Sequence, residues 1–449
     1  MQEIKGFSKL SKQAKIEWLV NAFFNGDPSV VENLESYWHN DQAIQKLHDE
    51  FIENTITNFY VPLGVAPNFK INGKMYCVPM AIEESSVVAA AAKSAGFWKD
   101  RGGFKATVID TCKIGHVHFF WNGSNPQVLY EWFEKNKAVF TEQTKVLTAN
   151  MEARGGGMKS VKLINKNHLE EGYFQLEARF ETVDAMGANF INSCLEQLSK
   201  TLETELSGSD LPDCDKEVEI VMCILSNYTP ECIVKVEVSC PVDELTIGEN
   251  VEPIDFAEKF IRAIRIANIE PYRATTHNKG IMNGIDSVAL ATGNDFRAIE
   301  ACAHAYASRD GQYKSLTNAT IDSDNTFRFW IEVPMALGTV GGITKLHPTV
   351  KFCHELLGRP GAEELMMIVA ATGLAQNFGA VRSLVTTGIQ KGHMKMHLLN
   401  ILNQLEATDQ EKEIIRKEFE TKTVSHKAVV DAFCSLRGIK SDHKTLKGK

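Results

Sequence analysis

The middle third of the chain changes its hydrophobic period several times, and this pattern constrains the fold more than any other feature. Apolar and polar residues alternate over 173–181, which is typical of a strand with one buried face. The neighbouring segments have these approximate bounds: strand at 107–122, helix at 132–151, a break at glycines 155–157, helix at 186–206, and strands within 218–242. This order predicts a compact β-α-β-α-β unit inserted between two more helical parts.

The segments before this unit carry their own signals. Residues 8–55 have helical periodicity. Asn72-Gly73 stands between two apolar runs, which predicts a β-hairpin. Ser85 and Ser86 follow the hairpin, at a position where their hydroxyls can cap the next helix.

The composition is that of an ordinary globular protein and excludes several classes of function. At about 150 residues per domain, the 449 residues suggest about three domains. The net charge of −9 disfavours nucleic-acid binding, because phosphate contacts need clustered Lys and Arg. The most apolar runs, 87–92 and 365–371, are shorter than the roughly 20 residues of a membrane span. The ten cysteines form no CxxC pair and the amino terminus has no apolar signal core, so we expect reduced thiols and a cytoplasmic location.

A first candidate for chemistry is the segment 79–92, PMAIEESSVVAAAA, in which Glu83 and Glu84 stand at a strand-to-helix junction. The amino end of a helix favours an anion, whereas apolar surroundings raise the pKa of a carboxyl group. A glutamate placed there could hold a proton at neutral pH and act as a general acid. The alternative on this segment alone is two solvated glutamates in a capping turn.

A second candidate is the segment 270–295, EPYRATTHNKGIMNGIDSVALATGND. It places five ionisable side chains among glycines and small residues: Arg273, His277, Lys279, Asp286 and Asp295. Glycine lets a backbone approach a ligand closely, and a lysine in such a pocket can stabilise an oxyanion. The alternative is a glycine-rich surface loop, between two helices, that carries ordinary solvated charges.

Two weaker candidates follow. DAMGAN, residues 184–189, joins a strand to a helix through a small-residue turn, which is how backbone N–H groups are presented to phosphate. It is not GxGxxG, so the Rossmann fingerprint is missing. In the charged, helical tail, GIQKGHMKMH places His393 and His397 four residues apart. The pair could bind a metal or His393 could donate a proton, but no further ligands are evident and we expect no metal.

Together these segments resemble the hydroxymethylglutaryl-coenzyme A (HMG-CoA) reductases, specifically class II, the bacterial type. PYRATTHNKGIMNGID followed by ATGND is close to diagnostic of that family. EESSVVAAAA is similar to its catalytic-glutamate segment, DAMGAN to its cofactor segment, and GGITKLHP and GHM to two later landmarks. The matches are collinear and extend over nearly the whole chain.

The resemblance implies a reductase that converts HMG-CoA to mevalonate with two hydrides from NAD(P)H and releases coenzyme A. Lys279 would stabilise the oxyanion formed on the thioester carbonyl. His393 would protonate the departing coenzyme A thiolate, and Glu84 would supply a proton as mevaldehyde is reduced. Asp295 would hydrogen-bond to both Lys279 and Glu84 and tune them.

The same resemblance implies binding residues. Arg273 would pair with the free carboxylate of the substrate. Ser86, Thr276 and Asn283 could hydrogen-bond to the carboxylate, hydroxyl or carbonyl oxygens of the substrate. The cofactor would bind the segment with Asp184, Met186, Gly187 and Asn189. An NADH-preferring relative carries Asp at the position of Thr148, where its charge would repel a 2′-phosphate. Without that charge, and with Lys145 and Arg154 nearby, we expect NADPH to be preferred over NADH.

The family architecture implies a mixed α/β multidomain fold. Residues 1–112 and 227–387 would form a large helical α/β domain for dimerisation and substrate binding. Residues 113–226 would form a small ferredoxin-like, non-Rossmann cofactor domain, and 388–449 a helical flap. The substrate site would lie at the interface of a homodimer or higher homo-oligomer. Two alternatives are a generic NAD(P)-dependent carbonyl dehydrogenase and a catalytically inactive coenzyme A-binding protein.

Overall fold

The protein is built from helices and antiparallel sheets. The structure, a computed structural model, describes residues 3–248, 251–344, 346–386, 398–419, 422 and 424–439. The helices are α1 (Lys12–Phe23), α2 (Pro28–Ser36), α3 (Gln42–Asp49), α4 (Val87–Lys99), α5 (Pro126–Glu152), α6 (Ala188–Ser207), α7 (Pro253–Ile269), α8 (Pro271–Ala291), α9 (Phe296–Ala307), α10 (Pro348–Leu356), α11 (Ala362–Val385), α12 (Asp409–Glu418) and α13 (His426–Arg437). The strands are β1 (Leu63–Ile71), β2 (Lys74–Ala81), β3 (Lys105–Val108), β4 (Lys113–Phe120), β5 (Gly157–Asn165), β6 (Tyr173–Glu181), β7 (Glu219–Leu225), β8 (Ile233–Pro241), β9 (Thr317–Ile321) and β10 (Thr326–Pro334).

The predicted hairpin is confirmed. Strands β1 and β2 pair antiparallel, and Ile71 lies opposite Lys74. The two residues between them, Asn72 and Gly73, have φ angles of 47° and 85°. Asn and Gly tolerate this left-handed conformation, which matches the twist of the strands that the turn joins.

The inserted unit has a ferredoxin-like topology. Its elements run β4-α5-β5-β6-α6-β7, and its sheet has the strand order β5-β6-β4-β7. Every neighbouring pair in this sheet is antiparallel. A Rossmann sheet is mostly parallel, so the expectation of a non-Rossmann unit is confirmed.

One strand prediction was wrong in extent, and three strands were missed. The segment 107–122 is divided between β3 and β4, and the segment 218–242 between β7 and β8. In both cases the chain leaves one sheet and enters another, because β3 and β8 belong to the sheet β3-β8-β10-β9. Alternation along a strand does not reveal to which sheet the strand belongs. The missed strands are β5, which packs on α5, and the neighbouring strands β9 and β10.

The prediction of a glycine-rich loop in 270–295 was also wrong. Helix α8 is continuous from Pro271 to Ala291 and includes Gly280 and Gly284. A Cβ atom on Gly284 would lie 2.7 Å from the carbonyl oxygen of Thr372 in α11. Gly284 therefore serves close packing of two helices and not a turn.

The hydrophobic interior of the described residues consists of three clusters. The first extends over residues 66–106 and 232–381, the second over residues 117–206, and the third over residues 398–433. Helix α11 is the centre of the first cluster and packs on α4, α7, α8 and β8. By length and composition α11 could cross a membrane, but 78% of its most apolar window is buried inside the protein. It is therefore a core helix.

Candidate active site

Three predicted residues meet where the β2–α4 junction faces α8. The Nζ atom of Lys279 lies 2.9 Å from Oε2 of Glu84, and Nδ2 of Asn283 donates to the same oxygen at 3.2 Å. Glu83, the neighbouring carboxylate, is exposed, whereas the side chain of Glu84 is only 34% exposed. Of the two glutamates, the structure places Glu84 in contact with the lysine, as the resemblance implied.

The predicted substrate residues on α8 share one face of the helix. Arg273, Thr276, Lys279 and Asn283 follow one another at intervals of three, three and four residues, which brings their side chains to one side of an α-helix. Arg273 is half-buried, and burial lowers the pKa of its guanidinium. Within the described residues no carboxylate pairs with it. Its charge is thus available to an acidic ligand.

His277 supports this face from within the protein. Its ring is buried, and Nε2 lies 2.7 Å from the hydroxyl of Thr317. Its Nδ1 atom lies 3.5 Å from the guanidinium of Arg273. Burial, and then the charge of Arg273, lower the pKa of His277 to about 3. His277 is therefore neutral and orients Arg273, a role that its local sequence did not indicate because Thr317 is 40 residues away.

Ser86 occupies the N-cap position of α4 but does not cap the helix with its side chain. Its backbone has φ −91° and ψ −15°, and its hydroxyl accepts no helix amide. A capping side chain usually needs an extended backbone at this position, which explains why the predicted cap is not formed. Ser86 is exposed and stands two residues after Glu84.

Asp295 has a different set of partners from the one expected. Its carboxylate caps α9 through the amides of Arg297 and Ala298, and it pairs with the Arg297 guanidinium at 3.1 Å. The hydrogen bond from Arg297 lowers the pKa of Asp295. Within the described residues no hydrogen bond joins it to Lys279 or Glu84. Its expected role there stays a prediction.

The segment 185–190 forms one wall of a cavity of about 420 Å³ that Asp295 also lines. Gly187 is the N-cap of α6, with φ 91°, and no side chain caps the helix amides there. A Cβ atom on Gly187 would lie 2.5 Å from Thr182, and one on Gly338 would lie 2.5 Å from the amide of Met186. The turn is thus tightly packed, and the first residues of α6, whose amides no side chain caps, line the cavity, which suits an anionic ligand. Met186, Gly187 and Asn189 line this cavity.

Asp184, in contrast, is engaged with the large helix. Its Oδ1 atom accepts a hydrogen bond at 2.7 Å from the amide of Ala362, the first residue of α11. Its carbonyl oxygen accepts from the amide of Thr339 at 2.8 Å. Asp184 therefore caps α11 from another part of the chain and ties the turn to it.

Comparison with known proteins agrees with this geometry. A family model described as hydroxymethylglutaryl-coenzyme A reductase matches residues 19–398. The chain belongs to this family. The 3-hydroxy-3-methylglutaryl-coenzyme A reductase of Archaeoglobus fulgidus is 36% identical over 91% of this chain and 88% of its own length. A probable reductase of Borreliella burgdorferi is 32% identical over 94% of both chains.

Solved structures agree with the family and its class. The reductase of Streptococcus pneumoniae superposes with a TM-score of 0.71 at 35% identity, over 97% of this chain and 100% of its own. A second structure from that organism, described as a class II reductase bound to NADPH in open conformations, has a TM-score of 0.70 at 34% identity. It covers 95% of this chain and 100% of its own. The predicted resemblance and fold class are thereby confirmed.

Thr148, at which the resemblance implies that the choice between NADPH and NADH is made, is buried. Thr148 lies within α5, and its hydroxyl hydrogen-bonds to Oε1 of Glu152 at 2.6 Å. Lys145 is paired with Glu142. Nearby, Arg154 and Lys159 line a second cavity of about 630 Å³ together with Asp184 and the first turn of α11.

The remaining predicted groups concern the tail and metals. His393 and His397 lie outside the described residues. In the part of the chain that the structure describes, no cluster of three His, Cys, Asp or Glu side chains could hold a metal ion. The absence of a metal from the reaction stays a prediction.

Proposed function

We propose that this protein is an HMG-CoA reductase that converts HMG-CoA to mevalonate and free coenzyme A. The observation that carries the proposal is the contact of Lys279 and Asn283 with Glu84, on the face of α8 that also presents Arg273. The thioester becomes an alcohol by accepting two hydrides and two protons. The residues below supply the charge and the protons that these steps need.

Lys279 is suited to hold the reacting carbonyl oxygen. Hydride addition to a thioester or an aldehyde places negative charge on that oxygen, and a fixed cation stabilises it. The Lys279 side chain is 63% exposed and held at Glu84, so its Nζ atom is both oriented and accessible. In this proposal the substrate carbonyl lies against Nζ, beside the carboxyl group of Glu84.

Glu84 is placed to deliver the proton to that oxygen. It contacts Lys279 and Asn283 through the same oxygen atom, Oε2. Its other oxygen, Oε1, is the one left for the reacting group. In this proposal Glu84 protonates the aldehyde oxygen as the second hydride arrives, which gives the alcohol.

Arg273 would bind the free carboxylate at the other end of the hydroxymethylglutaryl group. A guanidinium forms two parallel hydrogen bonds with a carboxylate. The guanidinium of Arg273 is half-buried, and no carboxylate among the described residues pairs with it. Thr276 and Ser86 would bind the remaining oxygens. Binding at Arg273 would fix the distance from the carboxylate to Lys279, six residues further along α8.

Two roles rest on the resemblance alone. His393 would protonate the coenzyme A thiolate after the C–S bond breaks, since a thiolate that keeps its charge can add back to the aldehyde. Asp295 would tune Lys279 and Glu84.

The turn at 184–189 fits a nicotinamide cofactor. The first residues of α6 line the cavity and their amides have no side-chain cap, and glycines stand where a Cβ atom would clash. When bound, the cofactor supplies the two hydrides. Met186, Gly187 and Asn189 would hold it, and Asp184 would keep the turn against α11.

We further propose that NADPH is preferred over NADH, as it is the molecule in the cited Streptococcus pneumoniae structure. Because Thr148 is buried, it would not contact the cofactor, and it adds no negative charge at its own position. The cation that favours a 2′-phosphate would be Arg154, with Lys159 beside it. Neither has a carboxylate partner within the described residues.

The proposal includes the division of the chain and its assembly. The three hydrophobic clusters support a large domain of residues 1–112 and 227–387, a small domain of 113–226 and a carboxy-terminal domain of 388–449. A homodimer is supported by exposed apolar side chains on and next to the β1–β2 hairpin: Phe59, Tyr60, Val65 and Met75. A cytoplasmic location is supported by ten cysteines that are all unpaired.

The test follows absorbance of the reduced nicotinamide after HMG-CoA is added to the purified protein, with NADPH and NADH in separate assays. We expect two equivalents to be oxidised per HMG-CoA, faster with NADPH. Lys279→Ala should reduce the rate by about 100-fold or more, as loss of one oxyanion-stabilising group does in other enzymes. Lys314→Ala removes another lysine, which is paired with Asp310 and lies outside this site, and should leave the rate unchanged.

No oxidation of either cofactor would overturn the proposal and favour an inactive coenzyme A-binding protein. Oxidation with a free aldehyde but not with HMG-CoA would favour a generic carbonyl dehydrogenase.

A further inference from the structure

Lys113 is a buried cation that the mechanism above does not use. It is the first residue of β4 and is 4% exposed. Burial lowers the pKa of its ammonium group. Within the described residues no carboxylate pairs with Lys113, although burying an unpaired ammonium is costly. The cost of burying this ammonium indicates that Lys113 has a specific role.

The two groups that Lys113 contacts both belong to the turn between β6 and α6. Its Nζ atom donates to the hydroxyl of Thr182 and to the carbonyl oxygen of Ala185, the latter at 3.1 Å. The Thr182 hydroxyl in turn donates to the same carbonyl at 2.6 Å. Lys113, Thr182 and Ala185 therefore form a closed set of hydrogen bonds beneath the turn.

This set determines the shape of the cavity wall. Gly187 lies so close to Thr182 that a Cβ atom would come within 2.5 Å of it. Met186 and Gly187, which follow Ala185, line the cavity and lead into the uncapped amino end of α6. If the Ala185 carbonyl moved, these backbone groups would move with it.

The charge of Lys113 also favours an anionic ligand at this turn. The amino end of α6 carries the positive end of the helix dipole, and no acidic side chain lies in its first turn. The Lys113 ammonium lies beneath the same turn. The Glu181 carboxylate is near enough to raise the pKa of Lys113, but within the described residues it forms no hydrogen bond or ion pair with the ammonium. Both charges attract an anionic ligand to this wall.

We propose that Lys113 is a positioning residue for the dinucleotide: it holds the 182–187 turn and adds positive potential to it, so that a phosphate-bearing nicotinamide cofactor binds there. This inference rests on the proposed function, because it takes the 184–189 turn as the cofactor site. It assigns no contact between Lys113 and the reacting atoms.

The experiment measures NADPH binding to the full-length protein by titration calorimetry, which does not depend on turnover. Lys113→Met keeps the length of the side chain but removes its charge and donors. We expect NADPH affinity to fall by about tenfold, as for the loss of a charged hydrogen-bond donor. Lys15→Met is the matched control, since Lys15 is also a buried lysine (8% exposed) but lies in α1, and it should bind NADPH as the wild type does.

Steady-state kinetics separate positioning from general stability. Lys113→Met should raise the KM for NADPH and leave the KM for HMG-CoA unchanged. A merely structural role would lower the denaturation midpoint and the active fraction but would move neither KM.

Unchanged NADPH affinity in Lys113→Met would overturn the inference. If that variant does not fold, Thr182→Val decides: it should weaken NADPH binding while Thr182→Ser does not, and equal affinities in both would overturn the inference as well. A wild-type protein that binds neither NADPH nor NADH would instead contradict the proposed function, so the two failures are distinguishable.

Discussion

At the scale of single residues, the candidate site depends on which of two adjacent carboxylates faces the lysine. Glu84 reaches both Lys279 and Asn283, whereas Glu83 is exposed. Glu84→Gln keeps the shape of the side chain and removes its carboxyl group, the proposed proton donor. We expect kcat to fall by about 100-fold to 10,000-fold, the usual contribution of a general acid. Glu83→Gln is the matched control and should have nearly wild-type kcat in the same assay. Comparable losses in both variants would contradict the assignment.

Arg154 carries the second prediction at this scale. Its guanidinium donates to the carbonyl of Asn150 and lines the larger cavity, where a 2′-phosphate would meet a cation. Arg154→Glu should lower the ratio of kcat/KM for NADPH to that for NADH by about tenfold or more, because a close charge pair becomes repulsive. Lys145→Glu provides a control, since Lys145 is exposed and already paired with Glu142. A shift in the ratio with Lys145→Glu and none with Arg154→Glu would place the phosphate elsewhere.

At the scale of elements, the contact between α8 and α11 is tested by two glycines of one helix. A Cβ atom on Gly284 would clash with the Thr372 carbonyl, whereas one on Gly280 would meet no atom within 4 Å. Gly284→Ala should therefore lower the free energy of unfolding by about 1–3 kcal/mol, the usual cost of overpacking. Gly280→Ala should raise it by up to about 1 kcal/mol, through helix propensity. Urea denaturation measures the free energy of unfolding of both variants. Equal changes in the two would contradict the close packing of Gly284 against α11.

The interface of α8 with α9 should make stability depend on pH. Asp286 is half-buried beside Glu300, and burial, followed by the charge of Glu300, raises the pKa of Asp286 to about 8. The folded state thus binds a proton that the unfolded state releases near pH 4, so Asp286 favours folding below that pH. This contribution is lost as the pH rises toward about 8.

We expect the stability of Asp286→Asn to fall less than that of the wild type between pH 5 and pH 8. Urea denaturation midpoints at these two pH values measure the difference. Asp100→Asn alters an exposed carboxylate at the end of α4 and should retain the wild-type difference. If Asp286→Asn keeps the wild-type decline, Asp286 is ionised in the folded protein.

At the scale of the whole molecule, exposed apolar residues indicate an assembly. Phe59 is 93% exposed and precedes the β1–β2 hairpin, on which Val65 and Met75 are also exposed. A homodimer should be found by light scattering of the purified protein, and Phe59→Asp should shift it toward the monomer. If the active site is completed at the interface, activity should fall with the dimer fraction. An active monomer in the wild type would rule out such a site.

Much of the fold and of the site could be predicted from local patterns. The Asn72-Gly73 turn, the alternation in β6 and the helix after it each depend on neighbouring residues, so the chain itself reports them. The spacing of Arg273, Thr276, Lys279 and Asn283 likewise follows from helical periodicity, once α8 is known to be continuous. The motifs that identify the family are contiguous in sequence, and their residue types suit the chemistry.

Only the tertiary structure decided what depends on distant neighbours. Glu84 and Lys279 are 195 residues apart, and the Asp184 carboxylate caps a helix that begins 178 residues later. The continuity of α8 at Gly284 depends on α11, the division of the predicted strands depends on which sheet each one joins, and Thr148 is buried by the packing of α5. A sequence pattern reports local backbone preference and the amphipathic face of an element. Contacts between elements are determined by packing and burial, which a local pattern does not contain.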